Sequence, residues 1–238
     1  IGLHKSFLES DPHMLIEGMI LAGYAVGADE GYVYLNDRYV LAVERVQTAI
    51  AQAEKVGLLG SNILGSGFSF TLKVKRGGGA YVCGEETAML ESIEGKRGVV
   101  RAKPPLPAIE GLFGKPTIIN NVLTLATVPM ILAEGAAAYK ARGVGRSLGT
   151  QVFQLAGNIA RGGIVETAFG ISLNELVNTY GGGTLTKRAL RAVQIGGPLG
   201  AYFSTDQFET SMDYESLIAA GGMLGHGGIV VFDDTVDL

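Results

Sequence analysis

Apolar positions along the chain recur in two rhythms, helical spacing and strict alternation, and glycines punctuate both. After Asp11-Pro12, the residues Met14, Leu15, Met19 and Leu21 predict a helix reaching about Ala25, with an acid cap, proline in the first turn and Gly27 as its stop. Gly31-Tyr-Val-Tyr-Leu35 reads as a short strand. Val40, Leu41, Val43, Val46 and Ile50 then predict a helix capped by Asp37 and ending near Gly57. From Gly67 to Lys75 the alternation is strict: Phe68, Phe70, Leu72 and Val74 on one face, Ser69, Thr71, Lys73 and Lys75 on the other, as in a half-buried strand. A helix from about Glu85 to Ile93 follows, closed by Gly95. Residues 96–117 are proline-rich and irregular, and a helix from about Asn121 to Leu132 is expected to kink at Pro129.

Glycines and charges between Glu134 and Gly149 mark a boundary. Beyond it, strands are expected at 151–156, 164–166 and 191–195, with a short amphipathic helix at 173–180. The tail carries a glycine-rich turn and a last strand, 228–232. Strand, turn, strand, helix and strand within so short a span suggest a small β-grasp-like α+β module.

Composition narrows the class. Among 238 residues there are 36 glycines, 47% hydrophobic and 18% charged residues. The glycines follow no Gly-X-Y period, which excludes collagen and implies many tight turns. The apolar excess fits partner interfaces and a large α/β core equally well. Net charge is −4 with no basic stripe, which argues against nucleic acid as a partner. A single cysteine, Cys83, excludes an internal disulfide and a four-cysteine cluster within these residues. No apolar stretch reaches the roughly 20 residues a membrane span needs. These features read as a soluble, intracellular protein.

The chemistry concentrates in Gly77-Gly-Gly-Ala-Tyr-Val-Cys-Gly-Glu-Glu-Thr87 and Arg101-Ala-Lys-Pro-Pro-Leu-Pro107. Consecutive glycines let a backbone turn sharply or lie against a flat or phosphorylated ligand, and their position between a strand and a helix gives them meaning. Glu85 and Glu86 open the helix. They serve either as plain complements to the helix dipole or as acceptors for ribose hydroxyls or a nicotinamide amide. Because successive helical residues point about 100° apart, Glu85 and Glu86 cannot both face one ligand equally. Lys103 is expected to project from extended backbone ahead of Pro104. Tyr81 reads as a ring partner or a core residue, Asn120 as a helix cap, and Cys83 as a small inert buried thiol.

Together with Thr117-Ile-Ile-Asn-Asn-Val-Leu-Thr124, this run resembles the flavoprotein subunit that accepts hydride from NADH in respiratory complex I, and the matching subunits of NAD-dependent formate dehydrogenases and NAD-linked hydrogenases. Leu155-Ala-Gly-Asn158, Gly163-Ile-Val-Glu166 and Gly196-Gly-Pro-Leu-Gly200 resemble the soluble ligand-binding β-grasp insert of the same family. The resemblance implies an α/β FMN- and NADH-binding domain at 1–145, a β-grasp module at 146–205 and a return segment at 206–238. It implies FMN and NAD(H) as cofactors. Gly78, Gly79, Tyr81, Gly84, Glu85, Glu86, Lys103, Leu106, Ile119, Asn120, Asn121 and Thr124 are its binding residues. Within that set Lys103 reaches toward NADH, Leu106 replaces a stacking aromatic, and Asn120, Asn121 and Thr124 contact the flavin. Hydride then passes from NAD(H) to FMN, and electrons leave to iron–sulfur partner subunits. By this resemblance the chain corresponds to the middle of the family protein. The family's N-terminal glycine loop would lie before it, with Ile1–Lys5 at the end of that region, and a 4Fe-4S domain would lie after it. The alternative is a redox-inactive docking subunit that kept the fold without flavin.

Overall fold

A computed structural model describes residues 2–237 of the protein. The chain divides into two units, Ile1–Ala133 and Glu134–Leu238. Its outermost residues, Ile1 and Leu238, which bound the expected domains, lie outside the described residues.

The first unit opens with α1 (Gly2–Ser10) and α2 (Pro12–Val26). The carboxylate of Asp11 accepts the Met14 amide at 3.4 Å, and Gly27, at φ +70°, turns the chain out of the helix as expected. Then come β1 (Glu30–Asn36), α3 (Val40–Lys55) and β2 (Thr71–Gly77). The two strands pair in parallel, Glu30 opposite Thr71 through Asn36 opposite Gly77. A parallel pair requires a crossover, and α3 with its following loop supplies it. Leu8, Leu15, Ile16, Val33, Leu35, Val46 and Leu72 join one buried cluster between these elements. Each such side chain contributes about 1.5–3 kcal/mol on full burial.

Two expectations shift here. The cap of α3 is Tyr39, with no side-chain hydrogen bond, and not Asp37, whose amide instead bonds the Gly77 carbonyl at 2.9 Å. The alternation from Gly67 outlasts its strand: Phe70 forms only an isolated bridge with Gly60, and β2 begins at Thr71. The unit continues through α4 (Glu86–Ile93) and α5 (Val122–Glu134), which contains Pro129. At Gly18 an added Cβ would lie 2.0 Å from the Leu125 carbonyl oxygen, so α5 lies against α2 at that glycine.

The second unit begins with α6 (Ala136–Lys140) and a short hairpin of β3 (Gly143–Val144) and β4 (Ser147–Leu148). Next are β5 (Thr150–Gly157), β6 (Gly163–Ala168), α7 (Leu173–Glu175, prolonged by a π turn to Tyr180), β7 (Leu190–Ile195), β8 (Ala201–Ser204), α8 (Tyr214–Ala219) and β9 (Gly228–Asp233). They build a five-stranded sheet in the order β6-β5-β9-β7-β8. β9 runs parallel to β5 and antiparallel to β7. Phe153, Leu173, Leu176, Val193, Ile195, Phe203, Leu217 and Ile229 form its core. This differs from the expected boundaries at 145/146 and 205/206. The helix and hairpin at 136–148 fall with the second unit, and the expected return segment supplies the central strand of its sheet. The fold is mixed α/β. Among the described residues, no helix is long and apolar enough to cross a membrane.

Candidate functional site

Gly77 ends β2 under the Tyr34 ring, where an added Cβ would lie 2.0 Å from the phenol oxygen. Packing inside the unit therefore requires that glycine. Its neighbours differ: a Cβ at Gly78 or Gly84 would meet nothing within 4 Å. Gly79 sits at φ +87°, in the left-handed region that favours glycine, beside the Asn36 side chain. The loop thus offers exposed backbone without side-chain cover. Tyr81–Gly84 forms one 3-10 turn that buries Cys83 and leaves Tyr81 74% exposed, so Tyr81 is not a core residue.

The adjacent acids divide their work. Glu85 caps α4: its Oε2 accepts the Thr87 amide at 2.9 Å, the Ala88 amide at 2.8 Å and the Thr87 hydroxyl at 2.6 Å. Burial opposes ionisation of Glu85, yet these donors, with Lys103, outweigh it and hold the carboxyl below its usual range. Glu86 begins the helix and pairs with Lys103 Nζ, which also lies 3.6 Å from Glu85 Oε1. The hydrogen bond from Lys103 to Glu86 raises the lysine pKa. Both peptide bonds after Lys103, to Pro104 and to Pro105, are cis.

Beside this pair lies a cleft of about 480 Å³ whose walls include Glu86, Leu106, Ile119 and Asn120. Four of the expected site residues therefore meet in one concavity, with Lys103 and Glu85 joined to it through Glu86. The volume is that of a small-molecule site. Ile119 also packs against the cluster of Leu90, Ile93 and Leu112. Asn121 and Thr124 are exposed in and before the first turn of α5. There Asn121, and not Asn120, is the cap, accepting the Leu123 amide at 2.9 Å.

The cations near the cleft are not a bare basic patch. Arg101 donates from Nε to Glu91 at 2.5 Å, from Nη2 to Glu94 at 2.8 Å and from Nη1 to the Gly111 carbonyl at 2.9 Å. Lys96 pairs with Glu94 at 2.9 Å. Glu94 is nearly buried, which alone would raise its pKa. Lys96, the Phe113 amide and Arg101 reverse that and bring it to about 2. Sequence reasoning missed these partners. The signal was Glu91 and Glu94, three residues apart in the last turn and cap of α4. Among the described residues no group of three His, Cys, Asp or Glu side chains could hold a metal ion.

The family model described as the Nuo51 FMN-binding domain matches residues 3–130. The chain is similar to an NADH-quinone oxidoreductase subunit of Rhizobium meliloti (strain 1021), with 50% identity over 97% of this chain and 55% of the relative. It is 47% identical to NADP-reducing hydrogenase subunit HndC of Solidesulfovibrio fructosivorans, over 98% of this chain and 47% of the relative. Among solved structures, an NAD+-reducing NiFe-hydrogenase in the air-oxidized state matches with a TM-score of 0.83 and 35% identity. That match covers 98% of this chain and 38% of the hydrogenase chain. The chain spans about half the length of the curated relatives it matches.

Proposed function

The chain belongs to the Nuo51 FMN-binding domain family, and on that premise we propose that it is the FMN- and NADH-binding core of an NADH:acceptor oxidoreductase subunit. The observation that carries this reading is the convergence of Glu86, Leu106, Ile119 and Asn120 on one cleft, with Glu86 following directly on the exposed glycine loop in the chain. Bound FMN would supply two-electron exchange with the nicotinamide and one-electron delivery onward. The residues present fit such a group. Open backbone at Gly78 and Gly84 admits a flat ring, and the exposed Tyr81 offers a covering surface.

The side chains would then orient and bind. Asn120, Asn121 and Thr124 present amide and hydroxyl groups suited to the oxygens of a ribityl phosphate. Glu85, held ionised and fixed by Thr87 and Ala88, is a rigid acceptor on the flavin side. Lys103 would bind the dinucleotide by charge, exchanging its contact with Glu86 for the ligand, and Glu86 would accept ribose or carboxamide donors. Leu106 supplies an apolar wall in place of an aromatic one.

In the second unit, two hairpins, β5–β6 and β7–β8, flank β9, with α7 packed on the sheet. That arrangement supports its assignment as the β-grasp module. The proposed setting is a multi-subunit assembly of the complex I or hydrogenase type, in the cytoplasm or peripheral to the inner membrane. Iron–sulfur partner subunits would receive the electrons there, and a 4Fe-4S cluster would lie in the full-length protein. The test is the visible spectrum and NADH:ferricyanide activity of the protein at its full natural length. One FMN per chain and NADH-dependent reduction are expected. A colourless, inactive protein would favour a docking subunit that kept only the fold.

A further inference from the structure

Residues 96–117 carry both Lys103 and Leu106, yet their only regular element is one 3-10 turn, Leu112–Gly114. No strand ladder fixes this segment; its backbone bonds are local turns such as Gly111 to Lys115 and Thr117 to Pro107, and side chains tie it to α4. Arg101 provides an attachment near its start. The three guanidinium nitrogens bond Glu91 on α4, Glu94 at the end of that helix and the Gly111 carbonyl, so one side chain links the helix to the later part of the segment. Its backbone amide bonds Thr87 Oγ1 at 2.9 Å, and that same hydroxyl donates to Glu85 Oε2 at 2.6 Å. Glu94 completes the frame by accepting the Phe113 amide at 2.7 Å. Each guanidinium nitrogen of Arg101 thus has a partner within the protein, which makes the side chain a stronger anchor than a direct binder of phosphate.

We propose that Arg101 is the positioning residue of the dinucleotide site. Through its guanidinium it holds the segment bearing Lys103 against α4, and through Thr87 it orients the Glu85 carboxylate that faces Lys103. The proposal rests on the reading of Lys103 as an NADH-binding residue. A guanidinium is required because its planar fork serves three partners at once, whereas a lysine ammonium cannot reproduce that geometry.

The experiment is a double-mutant cycle in NADH oxidation by the full-length, FMN-loaded protein, comparing R101Q, K103A and the double variant. R101Q should raise the KM for NADH by about tenfold while kcat and the FMN-to-protein ratio hold, and R101K should not restore it. Because Arg101 acts through Lys103, adding R101Q to K103A should change KM by less than about twofold. Effects that multiply undiminished would overturn the proposal while leaving the reading of Lys103 intact. K103A with no effect on KM would overturn both. If R101Q fails to fold or loses FMN, Glu94→Gln takes its place, since it removes the charge facing Arg101 and keeps an acceptor for the Phe113 amide. The same non-additivity with K103A is then required, and an additive or absent effect refutes the assignment.

Discussion

Tyr34 lies directly over Gly77: a methyl group at Gly77 would stand 2.0 Å from the phenol oxygen and 2.3 Å from Cζ. The Tyr34 hydroxyl also lies 2.9 Å from Ser92 Oγ on α4. One ring therefore sets the end of β2, where the glycine loop starts, against the helix that carries both acids. Gly77 is absent from the positive-φ glycines, so the constraint here is space and not backbone conformation.

Gly77→Ala should accordingly destabilise the protein by about 1–3 kcal/mol, the usual cost of overpacking. Adding Tyr34→Phe should not restore stability, because Cζ obstructs the methyl as much as the oxygen does. Thermal denaturation of the two variants and their combination checks both statements. A fully stable Gly77→Ala protein would show that the ring moves aside without cost.

Glu85→Ala should cost about 1 kcal/mol as a lost helix cap. The sign of its pH dependence follows from the lowered carboxyl pKa. The stabilisation is present above the unfolded carboxyl pKa and disappears as pH falls through the folded one. Urea midpoints of wild type and variant should therefore converge in acid. A constant difference across pH would mean that the carboxylate does not act as the cap.

Lys103→Ala should weaken NADH binding by about 1.5–3 kcal/mol, as for a lost charge-assisted hydrogen bond, with FMN content unchanged. Titration of the flavin signal with NADH measures both quantities. Loss of FMN with intact NADH affinity would move Lys103 to the other ligand.

Glu86→Gln should raise the KM for NADH more than Glu85→Gln does. Glu86 lines the cleft, whereas Glu85 Oε2 is committed to α4. Equal effects in steady-state kinetics would remove the distinction between the two acids.

Glu94 adds an acid-sensitive element. Its pKa falls from 4.5 to about 2 on folding, so its contribution is present above pH 4.5 and is lost as pH drops toward 2. Glu94→Gln should flatten the acid limb of the stability profile in that window. An unchanged limb, followed by circular dichroism, would contradict the depressed pKa.

Much of the fold was legible where local chemistry and burial agree. Asp11, Pro12 and Gly27 bounded α2 because cap, first turn and stop are each decided by one residue. α1 has no such marks, and its helix is held by tertiary burial of Leu3 and Leu8. β8 and α8 were missed because they are short, with four and six residues, although Asp213 does cap α8 by accepting the Ser216 amide. Motif likeness pointed to Glu86, Leu106, Ile119 and Asn120, which the structure gathers on one cleft, but the partnerships around them were not legible. No sequence rule shows that Lys103 turns back onto Glu86, or that Arg101 reaches Glu91, Glu94 and Gly111 together, because the path of residues 96–117 between them is irregular. The Asn pair was read one position early, since either amide can cap a helix and only the backbone path selects Asn121.

The place of β9 in its sheet has a consequence for synthesis. A ribosome releases β5, β6, β7 and β8 before the strand that must lie between β5 and β7. Until Gly228–Asp233 emerges, the nascent second unit is two separate hairpins, each with an inner edge of unpaired amides and carbonyls open to other chains. The sheet therefore closes only when its central strand arrives last, and the interval before that is when this half of the protein is most exposed to aggregation.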